Sequence, residues 1–182
     1  MAQIGIRDRW DSLIRLDRKL LAASAIVLLP MSSSICAAPS VSEAMQSVQY
    51  LVGTWSCAHT VGDFSGTYVM SFAKGLDERW LRQTWDFPAT ATEPAVHSEY
   101  FLGYDPRLPG WVRFGAHTNG QYYAMRTTST GNERWSWQYV LPGTSGSVTW
   151  TKKSDTEYAV DGPEYPQNGK LVTEHHLCKK LP

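Results

Sequence analysis

From residue 51 almost to the end of the chain, apolar and polar residues alternate with a period of two. Neighbouring side chains on a β-strand point to opposite faces of the sheet, so this alternation is typical of strands with one buried face. Segments rich in Trp, Tyr, Val, Phe and Thr carry the pattern, and short turn sequences such as Pro109-Gly110 and Asn119-Gly120 separate them. The pattern predicts an all-β domain.

The predicted strands number about ten, in the range that closed sheets of this size use. They are 51–60, 66–73, 79–87, 97–104, 111–117, 121–129, 134–140, 147–152, 157–160 and 170–178, with Asp161-Gly162-Pro163 as the turn between the last two. Short turns that join consecutive strands indicate a meander, and closure removes its exposed edges. We therefore predict an up-and-down antiparallel barrel of about 8–10 strands. A two-sheet sandwich is the alternative, and the gap 89–95 is its best candidate for a long crossover.

A short helix is predicted before the first strand. Ser40-Val41-Ser42-Glu43 matches a capping box, and Val41, Met45 and Val48 follow at helical spacing. A chain of 182 residues supports one sizeable core. We expect one domain over residues 41–182.

Residues 1–40 have the order of a signal peptide. Five cations lie within the first nineteen positions, the apolar run 20–31 follows, and small residues end the segment. The alternative is an uncleaved anchor, but a span needs about 20 mostly apolar residues and only about a dozen precede the serines. We expect cleavage, export to the periplasm or outside the cell, and no stable membrane span afterwards.

The charge left after cleavage argues against a polyanionic partner. Residues 1–40 hold 5 of the 17 cations and 3 of the 17 anions, which leaves 12 cations against 14 anions. The remaining lysines and arginines are scattered, whereas nucleic-acid binding requires a clustered basic face. We expect no nucleic-acid partner, and the sequence does not predict an oligomeric state.

Two cysteines remain in the mature chain, Cys57 in the first strand and Cys178 in the last. In an oxidising compartment two such thiols usually pair, so we predict a disulfide, with two free buried thiols as the alternative. Cys57 together with His59 offers too few ligands for a metal, and we predict no metal site.

Aromatic residues are abundant: seven Trp, nine Tyr and five Phe follow residue 40. They either fill a barrel too wide for aliphatic side chains or line a cavity for a flat or elongated apolar ligand. Arg113 and Arg126 are candidate anchors, although alternation sets Arg113 opposite Phe114, and Trp80 opposite Trp85. The candidate wall residues are Trp80, Trp85, Tyr100, Phe114, Tyr123, Trp135, Trp137 and Trp150.

The histidines and carboxylates indicate a functional site less strongly than the aromatic residues do. His175 and His176 are adjacent on a predicted strand and point to opposite faces, so only one can enter an interior, where it could hold haem. A cyclase or isomerase acting on an apolar substrate would need an inward acid or base, for which Glu99 and His97 are candidates. An outward, salt-bridged Glu99 is the more ordinary interpretation.

The segment Leu51-Val52-Gly53-Thr54-Trp55, which follows a short helix and opens a meander, resembles the Gly-x-Trp opening of the calycin superfamily of lipocalins, fatty-acid-binding proteins and nitrobindin-like barrels. Together with Phe101-Leu102-Gly103-Tyr104-Asp105-Pro106 and Trp111, it resembles a bacterial exported family of unknown function with a calycin-like barrel.

The resemblance implies a cavity for a small hydrophobic molecule. It further implies that Gly53 lets the first strand begin tightly and that Trp55 packs across the closed end. Ser56-Cys57-Ala58-His59 stands where nitrobindin-like members have a glycine-rich sequence, so we expect no haem and predict no cofactor.

The sequence thus favours an exported barrel that binds a small hydrophobic or aromatic ligand. Two alternatives stay open: the enzyme described above, and a filled barrel with a structural or interaction role.

Overall fold

The computed structural model describes residues 38–90, 94–127, 133–142, 146–167 and 169–182. The predicted signal peptide lies outside the described residues except for its last three positions, as do residues 91–93 of the gap 89–95 and residues 128–129 of a predicted strand. Over these ranges, no helix has the length and hydropathy of a membrane-spanning segment.

One helix, α1 (Val41–Ser47), and a single 3₁₀ turn (Gln49–Leu51) precede ten strands. The strands are β1 (Gly53–Val61), β2 (Phe64–Gly75), β3 (Trp80–Phe87), β4 (Val96–Asp105), β5 (Gly110–His117), β6 (Tyr122–Thr127), β7 (Arg134–Leu141), β8 (Ser147–Ser154), β9 (Glu157–Gln167) and β10 (Lys170–Lys180).

The sheet is a closed up-and-down barrel. Each strand pairs antiparallel with the next, and β1 pairs with β10 to complete the ring. The predicted all-β barrel with a short preceding helix is confirmed, and the sandwich alternative is excluded.

The predicted turn at Asp161-Gly162-Pro163 is wrong, because β9 continues through it. Asp161 pairs with His175 and Glu164 pairs with Thr173, so two residues of β9 lie opposite the single residue Glu174. This is a β-bulge, a feature that accommodates a proline without a backbone N–H inside a sheet.

The helical segment covers the end of the barrel where β1 begins. The Ser40 side chain and Glu43 form the predicted capping box at the start of α1. Met45 and Leu51 are buried in the core, and the indole Nε1 of Trp55 donates a hydrogen bond to the Leu51 carbonyl at 2.7 Å. Gly53 enters β1 with a φ of 131°, a conformation that residues with a Cβ rarely adopt. This end of the barrel is closed.

Aromatic side chains fill the barrel behind this cover. Trp55, Trp135 and Trp137 are buried, and Trp111 stacks on Trp135 with ring centroids 5.0 Å apart. Stacked and edge-to-face ring pairs add to the stabilisation that burial of their area provides. Rings therefore plug the closed half of the barrel.

The strand pair that completes the ring carries a covalent link. Cys57 and Cys178 are register partners on β1 and β10 and form the predicted disulfide, with a sequence separation of 121 residues. A cross-link over so long a loop lowers the entropy of the unfolded chain.

We predict that a Cys57→Ser/Cys178→Ser variant loses about 2–5 kcal/mol of unfolding free energy, since the cross-link no longer restrains the unfolded chain. Chemical denaturation followed by Trp fluorescence measures the loss. Wild-type protein in excess reductant serves as the control and should match the variant. An unchanged unfolding midpoint in both samples would contradict the prediction.

Strand packing also depends on a glycine inside the barrel. A Cβ on Gly115 would overlap the carbonyl oxygen of Glu99 and the ring of Tyr100, whereas a Cβ on Gly75 would have no neighbour closer than 3.9 Å. We expect Gly115→Ala to destabilise the fold by about 1–3 kcal/mol. Gly75→Ala is the matched control and should change it by less than about 1 kcal/mol in thermal or chemical unfolding. Equal effects of the two substitutions would show that the close approach at Gly115 is unimportant.

Candidate functional site

A cavity of about 260 Å³ lies inside the barrel, toward the end opposite α1. Its position follows from its lining: Phe87 and His117 are the last residues of β3 and β5, and Gln121 lies between β5 and β6. The large rings thus serve both purposes considered from the sequence, because they plug one half of the barrel and line a space in the other.

The lining combines rings with a few polar groups. Its aromatic members are Tyr68, Trp85, Phe87, Tyr123, Tyr139, Trp150 and Tyr158. Its ionisable or amide-bearing members are Gln83, Arg113, His117, Gln121, Glu174 and His176. A wall that combines aromatic faces with oriented polar groups can both pack against a small molecule and orient it.

Arg113 on β5 is the buried cation of this cavity, with a relative exposure of 2%. Its Nε donates to Gln83 Oε1 at 2.9 Å, and its Nη1 donates to the Tyr123 hydroxyl at 3.3 Å. The guanidinium carbon lies 3.9 Å from the ring centroid of Tyr100 and 5.0 Å from that of Trp85. These contacts hold the guanidinium plane in place through hydrogen bonds and cation–π attraction.

Arg113 forms no direct ion pair with the groups around it. No carboxylate of the described residues lies within 4.0 Å of its nitrogens. Its Nη2 is buried and has no hydrogen-bond partner. Because Arg remains protonated even when buried, the wall of the cavity contains an oriented positive charge, and one of its donors is unused.

His117 borders Arg113 from the end of β5. Its Nδ1 lies 2.6 Å from the Ser98 hydroxyl and its Nε2 lies 2.6 Å from the Tyr100 hydroxyl, so both ring nitrogens are occupied. Burial, and then the positive charge of Arg113, lower the pKa of His117 below its ordinary value. The imidazole is therefore neutral at pH 7 and links Ser98 to Tyr100.

On the other side of the cavity, a cluster of two histidines and a glutamate joins β1 to β10. His59 and His176 are register partners whose rings stack with centroids 4.6 Å apart. The Nε2 atoms of His59 and His176 lie 2.9 Å and 3.0 Å from Glu174 Oε1. Burial raises the pKa of Glu174, but the contacts with His176 and His59 outweigh that effect and hold this pKa far below its usual range. Glu174 is thus a carboxylate at any ordinary pH.

Four of the sequence-predicted wall and anchor residues line the cavity: Trp85, Arg113, Tyr123 and Trp150. Three others are interior residues that do not line it: Tyr100, Trp135 and Trp137. Tyr100 lies beneath the Arg113 guanidinium, whereas Trp135 and Trp137 belong to the plugged half.

The remaining three, Trp80, Phe114 and Arg126, lie on the outer face and do not line the interior. Phe114 is 44% exposed and its ring packs edge-on against Trp80 at 5.6 Å. Arg126 donates to the Leu108 carbonyl. Alternation explains the placement, because Arg126 follows the inward Met125 just as Phe114 follows the inward Arg113.

The candidate acid and base of the enzyme alternative also face outward. Glu99 pairs with Arg82 at 2.6 Å and His97 contacts Asp86 at 2.7 Å, all on the exposed surface. The more ordinary interpretation of Glu99 is therefore confirmed. The expectation that only one of His175 and His176 enters the interior is also confirmed, since His176 is buried and His175 is exposed beside Asp161.

The sequence patterns did not indicate Gln83, Glu174 or the pairing of His59 with His176 as parts of the site. A local signal existed for one pair: Glu174 and His176 are two residues apart on a strand and therefore share a face. No local pattern indicated His59, because its partner lies on the last strand and the register between β1 and β10 is a property of barrel closure.

Fold and site together define a closed antiparallel β-barrel with an aromatic-lined interior cavity that contains charged groups. No family model and no curated protein matches the chain. Among solved structures, one described as a redesigned beta barrel is similar, with a TM-score of 0.41 and 14% identity over 82% of this chain and 100% of that chain.

The lowered pKa of His117 predicts a pH dependence of stability. The unfolded chain binds a proton near the ordinary pKa of 6.5, whereas the native His117 resists it, so the unfolded state gains protons first as the pH falls. The contribution of neutral His117 is complete above pH 6.5, declines below it, and levels off below the native pKa. We expect the His117→Gln variant to lose less unfolding free energy than wild type between pH 7 and pH 5. Parallel curves of unfolding midpoint against pH would contradict this assignment.

Proposed function

We propose that this chain is an exported, calycin-like barrel that binds a small aromatic or apolar molecule carrying one anionic group. The observation that carries the proposal is Arg113, a buried cation in the wall of an aromatic cavity. Its Nη2 has no partner, and no carboxylate of the described residues lies within 4.0 Å of its nitrogens.

The buried charge of Arg113 has an energetic cost. Removing an ion from water costs several kcal/mol even after relaxation, and cation–π contacts worth about 2 kcal/mol offset only part of that. An anionic group against Nη2 would supply the missing charge compensation. A carboxylate suits the planar guanidinium best, because it accepts two parallel hydrogen bonds.

The cavity volume limits the size of the ligand. A cavity of about 150 Å³ lined by apolar residues holds benzene, so the volume of about 260 Å³ suits a molecule of one or two rings. Trp85, Tyr123 and Trp150 supply ring faces for stacking, while Arg113 orients the anionic end.

The disulfide and the amino-terminal sequence together support export of the protein. Disulfides persist in oxidising compartments and are rare in the cytosol, which agrees with the Cys57–Cys178 bridge. The charged, apolar and small-residue order of residues 1–40 supports the same conclusion. We propose the periplasm or the cell exterior as its location.

An enzyme is the second candidate, because inward ionisable groups do contact one another inside the barrel. Glu174 and His176 meet at 3.0 Å beside the cavity and replace the outward Glu99 and His97 in that role. The pKa of Glu174 is held low, so this residue accepts hydrogen bonds and is no proton donor at neutral pH. We place ligand binding before catalysis as the proposed function. An anionic partner would compensate the buried charge of Arg113 whether or not the barrel catalyses a reaction.

The test uses 2-naphthoate and its neutral analogue 2-naphthalenemethanol, titrated into the full-length protein with Trp fluorescence and calorimetry as readouts. We expect the carboxylate to bind at least about thirty-fold more tightly than the alcohol, since loss of one partner of a buried charge pair costs about 2 kcal/mol or more. Arg113→Gln should abolish this preference, and Arg113→Lys should retain part of it.

The matched control is Arg82→Gln, an arginine on the outer face that pairs with Glu99. It removes the same charge and should leave the preference for the carboxylate intact. Near-UV circular dichroism verifies the fold of every variant. Equal affinity of wild-type protein for the two probes would reject the proposal without reference to any variant.

A further inference from the structure

Two strands that are remote in sequence bring three metal-ligating side chains together inside the barrel. His59 projects inward from β1, and Glu174 and His176 project inward from β10. Their donor atoms all lie within 4.8 Å of one another. Two imidazoles and a carboxylate form a donor set that first-row transition metals favour, zinc among them.

The spacing of the donors suits one small cation. Zn–N distances near 2.0–2.1 Å and Zn–O distances of 2.0–2.2 Å place the ligands of a tetrahedral ion about 3.4 Å apart. The two Nε2 atoms lie 2.9 Å and 3.0 Å from Glu174 Oε1. Outward shifts of a few tenths of an ångström would admit an ion between them, together with a tilt of the two nearly parallel rings that makes their Nε2 lone pairs converge.

Hydrogen bonding alone does not account for the arrangement. His59 Nε2 is close to Glu174 Oε1 but is not directed along a hydrogen bond, and it is buried with no other partner. Its ring is nearly parallel to that of His176, at an interplanar angle of 9°. A cation shared by the two rings would use one nitrogen lone pair of each.

A second layer of contacts orients the ligands. The Tyr68 hydroxyl lies 2.9 Å from His176 Nδ1, which directs Nε2 of that ring toward Glu174. Metal-bound histidines usually have such a partner on the other ring nitrogen. Phe64 and Phe87 pack edge-on against the His59 ring and restrict its orientation.

The backbone around Glu174 is also adapted to the cluster. The β-bulge of β9 lies directly opposite Glu174, and bulges next to functional sites redirect side chains. A Cβ on Gly162, within the bulge, would approach to 3.0 Å from Glu174 Cβ and 3.3 Å from its Oε2. Glycine therefore leaves the space that this carboxylate occupies.

We propose that His59, Glu174 and His176 bind one divalent transition-metal ion of the zinc class. Three protein ligands leave at least one coordination position for water or another small ligand, as in catalytic rather than structural zinc sites. Glu174 and His176 line the cavity, so a small molecule inside the barrel has access to that ion. Arg113 is not among the proposed ligands, so Zn²⁺ binding can be tested without the anion proposed to bind at Arg113.

The experiment uses the full chain without a polyhistidine tag, with Cys36 replaced by serine so that only the two disulfide cysteines remain. Chelator-treated protein is titrated with Zn²⁺, followed by calorimetry and elemental analysis, and separately with Co²⁺, followed by visible absorption. We expect one equivalent to bind, the Co²⁺ bands of a four- or five-coordinate site, and a metal-dependent rise in unfolding temperature.

Variants then assign the ligands. His59→Gln, Glu174→Gln and His176→Gln should each weaken Zn²⁺ binding by about a hundred-fold or more, and Tyr68→Phe by about ten- to a hundred-fold. His175→Gln is the matched control: it is adjacent to two of the ligands, but its side chain is exposed and contacts Asp161. It should bind Zn²⁺ as wild type does.

Two results would overturn the proposal. One is the absence of stoichiometric Zn²⁺ binding by chelator-treated wild type with native near-UV circular dichroism. The other is Zn²⁺ affinity in the three ligand variants equal to that of His175→Gln. Should a ligand variant fail to fold, X-ray absorption of the zinc-loaded wild type decides, since two imidazoles must appear in its coordination shell.

Discussion

Pairing of the first strand with the last is the constraint on which the rest of this structure depends. It gives every strand two neighbours, so no backbone edge is left open. It brings Cys57 to Cys178 and, two residues further along the same strands, His59 to His176. The contact that closes the sheet also assembles one side of the cavity.

The interior divides into two halves with different physical roles. The half covered by α1 is filled by large rings such as Trp55 and Trp137, whose burial stabilises the barrel without specifying any ligand. The other half combines rings with a cation at Arg113 and an anion at Glu174. Charged groups are costly to bury, so their placement around a cavity is a stronger indication of function than the rings themselves.

Much of the architecture was predictable because period-two alternation is a local property of the sequence. Trp135, Trp137 and Tyr139 lie on one face in both the sequence pattern and the structure. The strand through Asp161-Gly162-Pro163 was not predictable, because residues that usually form a turn here form a bulge. The role of His59 depends on register across the closure of the barrel, and single-sequence patterns contain no information about that register.

The contribution of both chain ends to one cluster has a consequence for biosynthesis. His59 lies on β1, whereas Glu174 and His176 lie on β10. Synthesis proceeds from the amino terminus, so the imidazole of His59 emerges long before the other two side chains. The three-residue cluster can therefore assemble only after β10 has been synthesised, and a growing chain that still lacks β10 does not present it to its surroundings.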